Sequence, residues 1–335
     1  MKKISLFILC FSLFLNNPSF AVMDHNHSSP ATHGPIGVMA DHMHEQGEWM
    51  VSYRYMNMHM NQHYAGSTKL SIADVHSDYM IAPLGMTMEM HMVGAMYGLT
   101  DNITLMGMVP YHFKTMEHSR RTDGRRFTTR TEGLGDVKLT GMFSLKRWLN
   151  KKVQLNVGVS VPTGSIGERG TTFLGSDRKL PYPMQLGSGT VDLLPGLTYS
   201  DISGDLNWGA QVSSTIRNGR NELKYQLGDR NEMTAWVGYK LVDWMNVSFR
   251  VQASKWGNIT GADSELNINM VQTADPSNQG GERIDLFVGT NIVIPKGVLV
   301  DHRLALEVGM PAYVYLEGPQ LGADIEFTLG WQKAF

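Results

Sequence analysis

The chain has 335 residues, 42% of them hydrophobic and 18% charged, with 29 Lys and Arg against 31 Asp and Glu for a formal net charge of -2. That balance gives no electrostatic footprint for nucleic acid. One cysteine excludes a disulfide framework, and 35 glycines spread along the chain disfavour long helices and suit closely packed strands.

Two lysines precede an apolar run from Ile4 to Leu15, and Ser19-Phe20-Ala21 supplies the small-x-small pattern of a signal peptidase site. Residues 1–21 therefore read as an export signal for the Sec route. Cys10 falls inside it, so the exported chain is cysteine-free. After Ala21 no run of 18 apolar residues occurs, which argues against a helical membrane span.

Residues 22–47 place His25, His27, His33, Met39, His42, Met43 and His44 among Gly, Pro and Ser. This composition predicts a flexible segment that does not fold alone. Imidazole suits Cu(II) and Zn(II), so the tract is a candidate metal chelator. Folded into a barrel from the periplasmic side, it would act as a plug and bring His42 and His44 close to the strand methionines.

From residue 48 the apolar pattern has period two. In Trp49, Val51, Tyr53 and Tyr55 the apolar side chains fall on odd positions, with Met50, Ser52, Arg54 and Met56 between them. Segments of this kind lie at 48–58, 86–99, 103–117, 133–146, 152–161, 188–200, 205–216, 230–242, 245–256, 282–294, 301–310 and 322–335. Each reaches the roughly 9 to 11 residues that a tilted strand needs to cross a bilayer. Short connectors (100–102, 147–151, 201–204, 243–244, 295–300) alternate with mostly longer polar ones, the asymmetry of periplasmic turns and external loops.

Tyr97, Trp148, Tyr199, Trp208, Tyr239, Trp244 and Trp331 sit near the short-turn ends, where a lipid interface would hold them. Phe327, Leu329, Trp331 and the terminal Phe335 alternate like the signal read by barrel-insertion machinery, with Lys333 as an interruption. The expected fold is all-β: a transmembrane antiparallel up-and-down β-barrel of about twelve strands over 48–335, placed in the bacterial outer membrane with both termini periplasmic. A soluble β-sandwich shares the period but not the export signal, the connector asymmetry or the terminal Phe.

Arg54 fixes the faces. A charge at mid-strand on the lipid side would cost about 2–4 kcal/mol, so the Met50, Met56, Met58 and Met60 face points inward. By the same alternation Met86, Met88, Met90, Met92 and Met96 face the lumen, and Lys114 and His112 assign Met106, Met108 and Met116 to it. Eleven of the 12 His and 17 of the 23 Met lie at or before residue 118. Thioethers favour Cu(I), so Met56, Met58, Met60, Met88, Met90, Met92, Met96, Met106, Met108 and His112 join the candidate ligands for copper or another soft metal. The competing reading is packing, or a compliant apolar path, because Met fills irregular gaps. No further cofactor is implied.

In "HSRRTDGRRFTTR" five arginines, Arg120, Arg121, Arg125, Arg126 and Arg130, fall in an expected external loop, where lipopolysaccharide phosphates would accept their bidentate contacts. A solvated charged loop reads the same way. An enzyme acting on envelope lipids would need a Ser–His pair at the interface. His91 looks outward, but no serine lies two positions away, and no catalytic set is identifiable.

Three stretches read in order, "YGLTDNITLMGMVPY" at 97–111, "GLGDVKLTGMFSL" at 133–145 and "VSVPTG" at 159–164, resemble the family of outer-membrane transporters assigned to the phenol meta-cleavage (MetA) pathway. The resemblance covers most of the exported chain. It implies a β-barrel that moves small, often hydrophobic molecules across the outer membrane, so a channel for hydrophobic or aromatic compounds stands beside the copper reading. The Met and His loading of the first third departs from the family pattern.

Overall fold

The computed structural model describes residues 29–148 and 150–335. The expected export signal, His25 and His27 lie outside the described residues. The strands are β1 (Trp49–Gly66), β2 (Thr68–Leu70), β3 (Ile81–Thr100), β4 (Ile103–Arg120), β5 (Arg126–Leu134), β6 (Val137–Trp148), β7 (Lys151–Val161), β8 (Arg169–Thr172), β9 (Gly175–Lys179), β10 (Asp192–Ser203), β11 (Leu206–Thr215), β12 (Arg230–Val242), β13 (Met245–Trp256), β14 (Gly281–Val293) and β15 (His302–Ala334). A short helix, α1 (Ile72–Asp78), follows β2; Ser71 and Asp74 close its first turn as a capping box.

The wall is one antiparallel sheet in the order β1-β3-β4-β6-β7-β10-β11-β12-β13-β14-β15, closed by pairing of β15 with β1. The pairings also show that β15 is two strands. Ten strands from β1 to β14 alternate in direction, so β14 runs opposite to β1. The part of β15 from Arg303 to Leu316 is antiparallel to β14, and the part from Gln320 to Ala334 is antiparallel to β1. These two arms therefore run in opposite directions, and the chain turns between them at Gly318, whose φ of 77° only glycine adopts readily. Ten strands and two arms make a closed barrel of twelve, and closure leaves no sheet edge to be satisfied in lipid.

Several boundaries differ from expectation: β1 runs on to Gly66 past the expected end at 58, and β3 begins at Ile81 rather than at 86. The segment read as an external loop around the arginines is mostly strand: β4 runs to Arg120, and Arg126 and Arg130 lie on β5, which pairs with the upper half of β4. Thr128, Thr129, Thr131 and Phe127 supply the β-forming side chains there. The spanning strand expected at 133–146 is really β5 and β6 in line, interrupted at Gly135-Asp136. The motifs at 133–136 and 161–164 meet at this interruption. Thr163 Oγ1 donates to Gly135 O at 2.7 Å and accepts from Val137 N at 2.9 Å, while Asp136 Oδ1 accepts from Gly164 N at 3.0 Å. Side chains thus replace the ladder bonds that the break removes.

The two faces separate as the alternation requires. On β3, Val93 is 60% exposed on the outer surface and Met92 beside it only 7%, inside. Leu105, Val109, Leu139, Val157, Val212, Val237, Val288 and Leu329 continue the outer apolar belt. At its short-turn edge Trp49 lies against Tyr97 with ring centroids 4.5 Å apart, and Tyr199 against Trp208 at 5.2 Å. Charges return to the outer face from the level of Phe113 upward, at Glu89, Glu132, Arg130, Glu117 and Arg126. Uncharged below and charged above, this surface is that of a transmembrane barrel.

Candidate functional site

Register turns the methionine pattern into a strip. Across β1, β3 and β4 the inward positions form rows: Met60, Met86 and Met116; Met58, Met88 and Lys114; Met56, Met90 and His112; Arg54, Met92 and Pro110; Ser52, Gly94 and Met108; Met50, Met96 and Met106. The strip runs the length of the lumen. At the long-loop end Met86 and Met116 are buried with Met184 and Leu180, and Met60 packs against them. At the short-turn end Met50, Met92, Met96, Met106, Met108 and Met142 form one buried cluster, with Met90 packed against it. Between the two, Met56, Met58, Met88, Met90 and His112 are half-buried.

The segment expected as flexible, or alternatively as a plug, occupies the lumen over residues 30–44. Both of its limbs touch wall residues at the short-turn end, and its crest reaches Gly37. His33 O accepts from Asn207 Nδ2 at 3.1 Å, Gly34 O from Arg303 Nη2 at 2.6 Å, Met39 O from Gln211 Nε2 at 2.8 Å and Ala40 O from Gln154 Nε2 at 2.7 Å. Gly37 N donates to Glu307 Oε2 at 2.9 Å, and Glu307 is paired with Arg250 at 2.7 Å. Irregular backbone survives at membrane depth only where protein satisfies it, and inward amide and charged side chains do so here. The Arg54 guanidinium contacts the Met39 sulfur.

Met43 and Ala40 belong to the lower methionine cluster, so the segment brings its own apolar surface to the strip. His44 is buried with its backbone N–H donating to Thr104 Oγ1 at 2.9 Å. The rings of His33 and His42 stand edge-on at 4.5 Å, and those of His42 and His44 at 5.1 Å. Asp41 ties the limbs together: Oδ2 accepts from Gly34 N at 2.8 Å and Oδ1 bonds His42 Nδ1 at 2.8 Å. His33, Asp41 and His42 offer ligand atoms within 4.8 Å of one another. Asp41, His42 and Arg54 line, with Met50, Met92, Met96, Met106 and Met108, a cavity of about 20 Å³, enough for one water-sized occupant.

The opposite end is closed by the loop between β9 and β10. Leu180, Met184 and Gln185 are buried in the mouth, and Lys114 Nζ donates to Pro183 O at 3.0 Å and to Gln185 O at 2.5 Å. Beside this loop a second cavity of about 200 Å³ is lined by Phe127, Phe173, Leu174, Leu180, Pro181 and Leu266.

The arginines do not act as one group. Arg120 pairs with Asp123 and stands over Phe173, and Arg121 donates to His76 O at 2.9 Å. Arg125, Arg126 and Arg130 are exposed. His91 is on the outer surface, bonded to Tyr53 Oη at 2.7 Å and ringed by Tyr55 and Phe113. Met142, Met184 and Asp41 escape the sequence reading. Met142 and Met184 stand alone in their stretches, and an acidic residue beside a histidine carries no spacing signal.

No protein-family model matches the chain, and no curated protein sequence matches it either. Among solved structures it is similar to the COG4313 outer membrane channel from Pseudomonas putida F1, with a TM-score of 0.61 and 17% identity over 88% of this chain and 98% of that one. A looser likeness, at a TM-score of 0.43 and 7% identity, links 92% of this chain to 97% of the CymD monoaromatic hydrocarbon channel. At these identities the likeness concerns the fold, a closed antiparallel barrel of the outer-membrane type.

Proposed function

We propose that this chain is an outer-membrane channel, exported by its N-terminal signal, whose lumen passes copper as Cu(I) or another soft metal ion. The observation that carries the reading is the register-built strip, which lines thioethers side by side from one mouth to the other. Each sulfur is a weak, soft ligand, and successive weak sites let an ion enter and leave. The outer-membrane placement is supported by the apolar belt with its aromatic edge and by the fold of the Pseudomonas channel. Exposed Arg125, Arg126 and Arg130 stand just above the belt, where lipopolysaccharide phosphates would meet them.

The test is uptake into liposomes. Met88, Met90 and Met92 are changed together to Leu, which conserves volume and costs little packing. Cu(I) uptake by the full-length triple variant should fall about tenfold or more while uptake of a small phenol is unchanged. Equal Cu(I) uptake would remove the metal reading. It would leave the second one, a channel for hydrophobic or aromatic compounds, which the apolar cavity beneath the external loops favours.

A further inference from the structure

We propose that His42 Nε2 and thioethers of the lower cluster form a binding site for one soft monovalent cation, Cu(I) or its analogue Ag(I), at the contact between the luminal segment and the wall. This rests on reading the strip as a soft-metal path and adds the place where an ion stops.

Four observations converge on it. His42 is 6% exposed, and its Nε2 has no hydrogen-bond partner among the described residues. Leaving such an atom unsatisfied costs about 1–3 kcal/mol, so the arrangement calls for a ligand. Asp41 takes the Nδ1 side of the ring at 2.8 Å, and a carboxylate there keeps the proton on Nδ1 and presents Nε2 as a lone pair. The cavity that His42 shares with Met50, Met92, Met96, Met106 and Met108 is lined also by Asp41, Ser52, Arg54 and Gln332, and it has room for one ion. Its donor set, one imidazole nitrogen and several thioethers, matches Cu(I) rather than a harder divalent ion. Arg54 also lines it and repels any cation, a double charge more than a single one, while the Asp41 carboxylate in the same lining offsets that charge. A bound ion would join the segment to β1, β3 and β4 and hold it seated.

The test uses the full-length chain with 15N-labelled histidine, refolded in detergent micelles and titrated with Ag(I). One equivalent of Ag(I) should shift the Nε2 resonance of His42 and leave its Nδ1 in the protonated position. Asp41→Ala should weaken that equivalent about 10- to 100-fold, as loss of a ring-orienting carboxylate does. His42→Ala should abolish it. Ag(I) bound with the His42 resonance unmoved, and at unchanged affinity in His42→Ala, would overturn the site while leaving the strip as a metal path. Absence of Ag(I) binding to the unaltered chain would overturn both.

Discussion

Gly37 shows how closely the luminal segment fits its seat. A Cβ at this position would land on Glu307 Oε2 and on the Arg250 guanidinium, inside van der Waals contact. Gly37→Ala should therefore lift the crest of the segment, and protease cleavage within residues 30–44 should rise relative to the unaltered barrel. Glu307→Ala acts from the other side by leaving Arg250, 2% exposed, as an unpaired buried charge. That change should lower unfolding stability in urea by about 3–5 kcal/mol. Outside the membrane, the Arg120 hydrogen bond draws the Asp123 carboxyl down to about 2. A lowered carboxylate contributes order above its unfolded value and loses it as pH falls through about 2, so hydrogen-exchange protection in residues 121–125, taken relative to the intrinsic rate at each pH, should stay constant from pH 7 to 5 and fall only in stronger acid. At this scale the sequence is partly transparent. Arg54 declares its face because its neighbours alternate, whereas the partnership of Arg250 with Glu307 spans 57 residues and depends on register that no local pattern records.

Among the elements, β3 carries the orientation on which the strip depends. Val93 faces lipid and Met92 the lumen, so Val93→Arg should cost about 2–4 kcal/mol of refolded-barrel stability. Arg at 93 without any loss would mean that the faces are reversed. The period-two signal makes β1, β3 and β4 legible where apolar and polar faces stay distinct, and it misses residues 59–66 of β1 and 81–85 of β3. Of the β5–β6 strand only the lower half is legible, for a physical reason: its upper half rises above the lipid, its outer face is charged at Arg126, Arg130 and Glu132, and alternation of that kind resembles a loop. The interruption itself leaves a trace in the sequence as "GLGD" and "VPTG", whose shared purpose emerges only when Thr163 and Asp136 are seen bridging them. Asp136 also accepts from Ser188 N at 2.8 Å and Ser188 Oγ at 2.7 Å, so it joins the break in the wall to the loop that closes the external mouth.

At the scale of the whole molecule two segments fill the lumen, residues 30–44 at the short-turn end and the loop around Pro183 at the other, with the half-buried methionines of the strip between them. Two closures in series govern passage differently from one. Removing either leaves the other as the dominant resistance, so the two changes cannot add. Deleting residues 30–44 alone should leave the conductance of a planar bilayer close to that of the full chain. Lys114→Ala, which releases Pro183 O and Gln185 O from their shared donor, should do the same. The double variant should conduct far above the sum of the two, a coupling that a double-mutant cycle measures directly. A large ohmic current from the segment deletion by itself would show that the external loop does not close the pore, and would leave the N-terminal segment as the sole barrier to cargo.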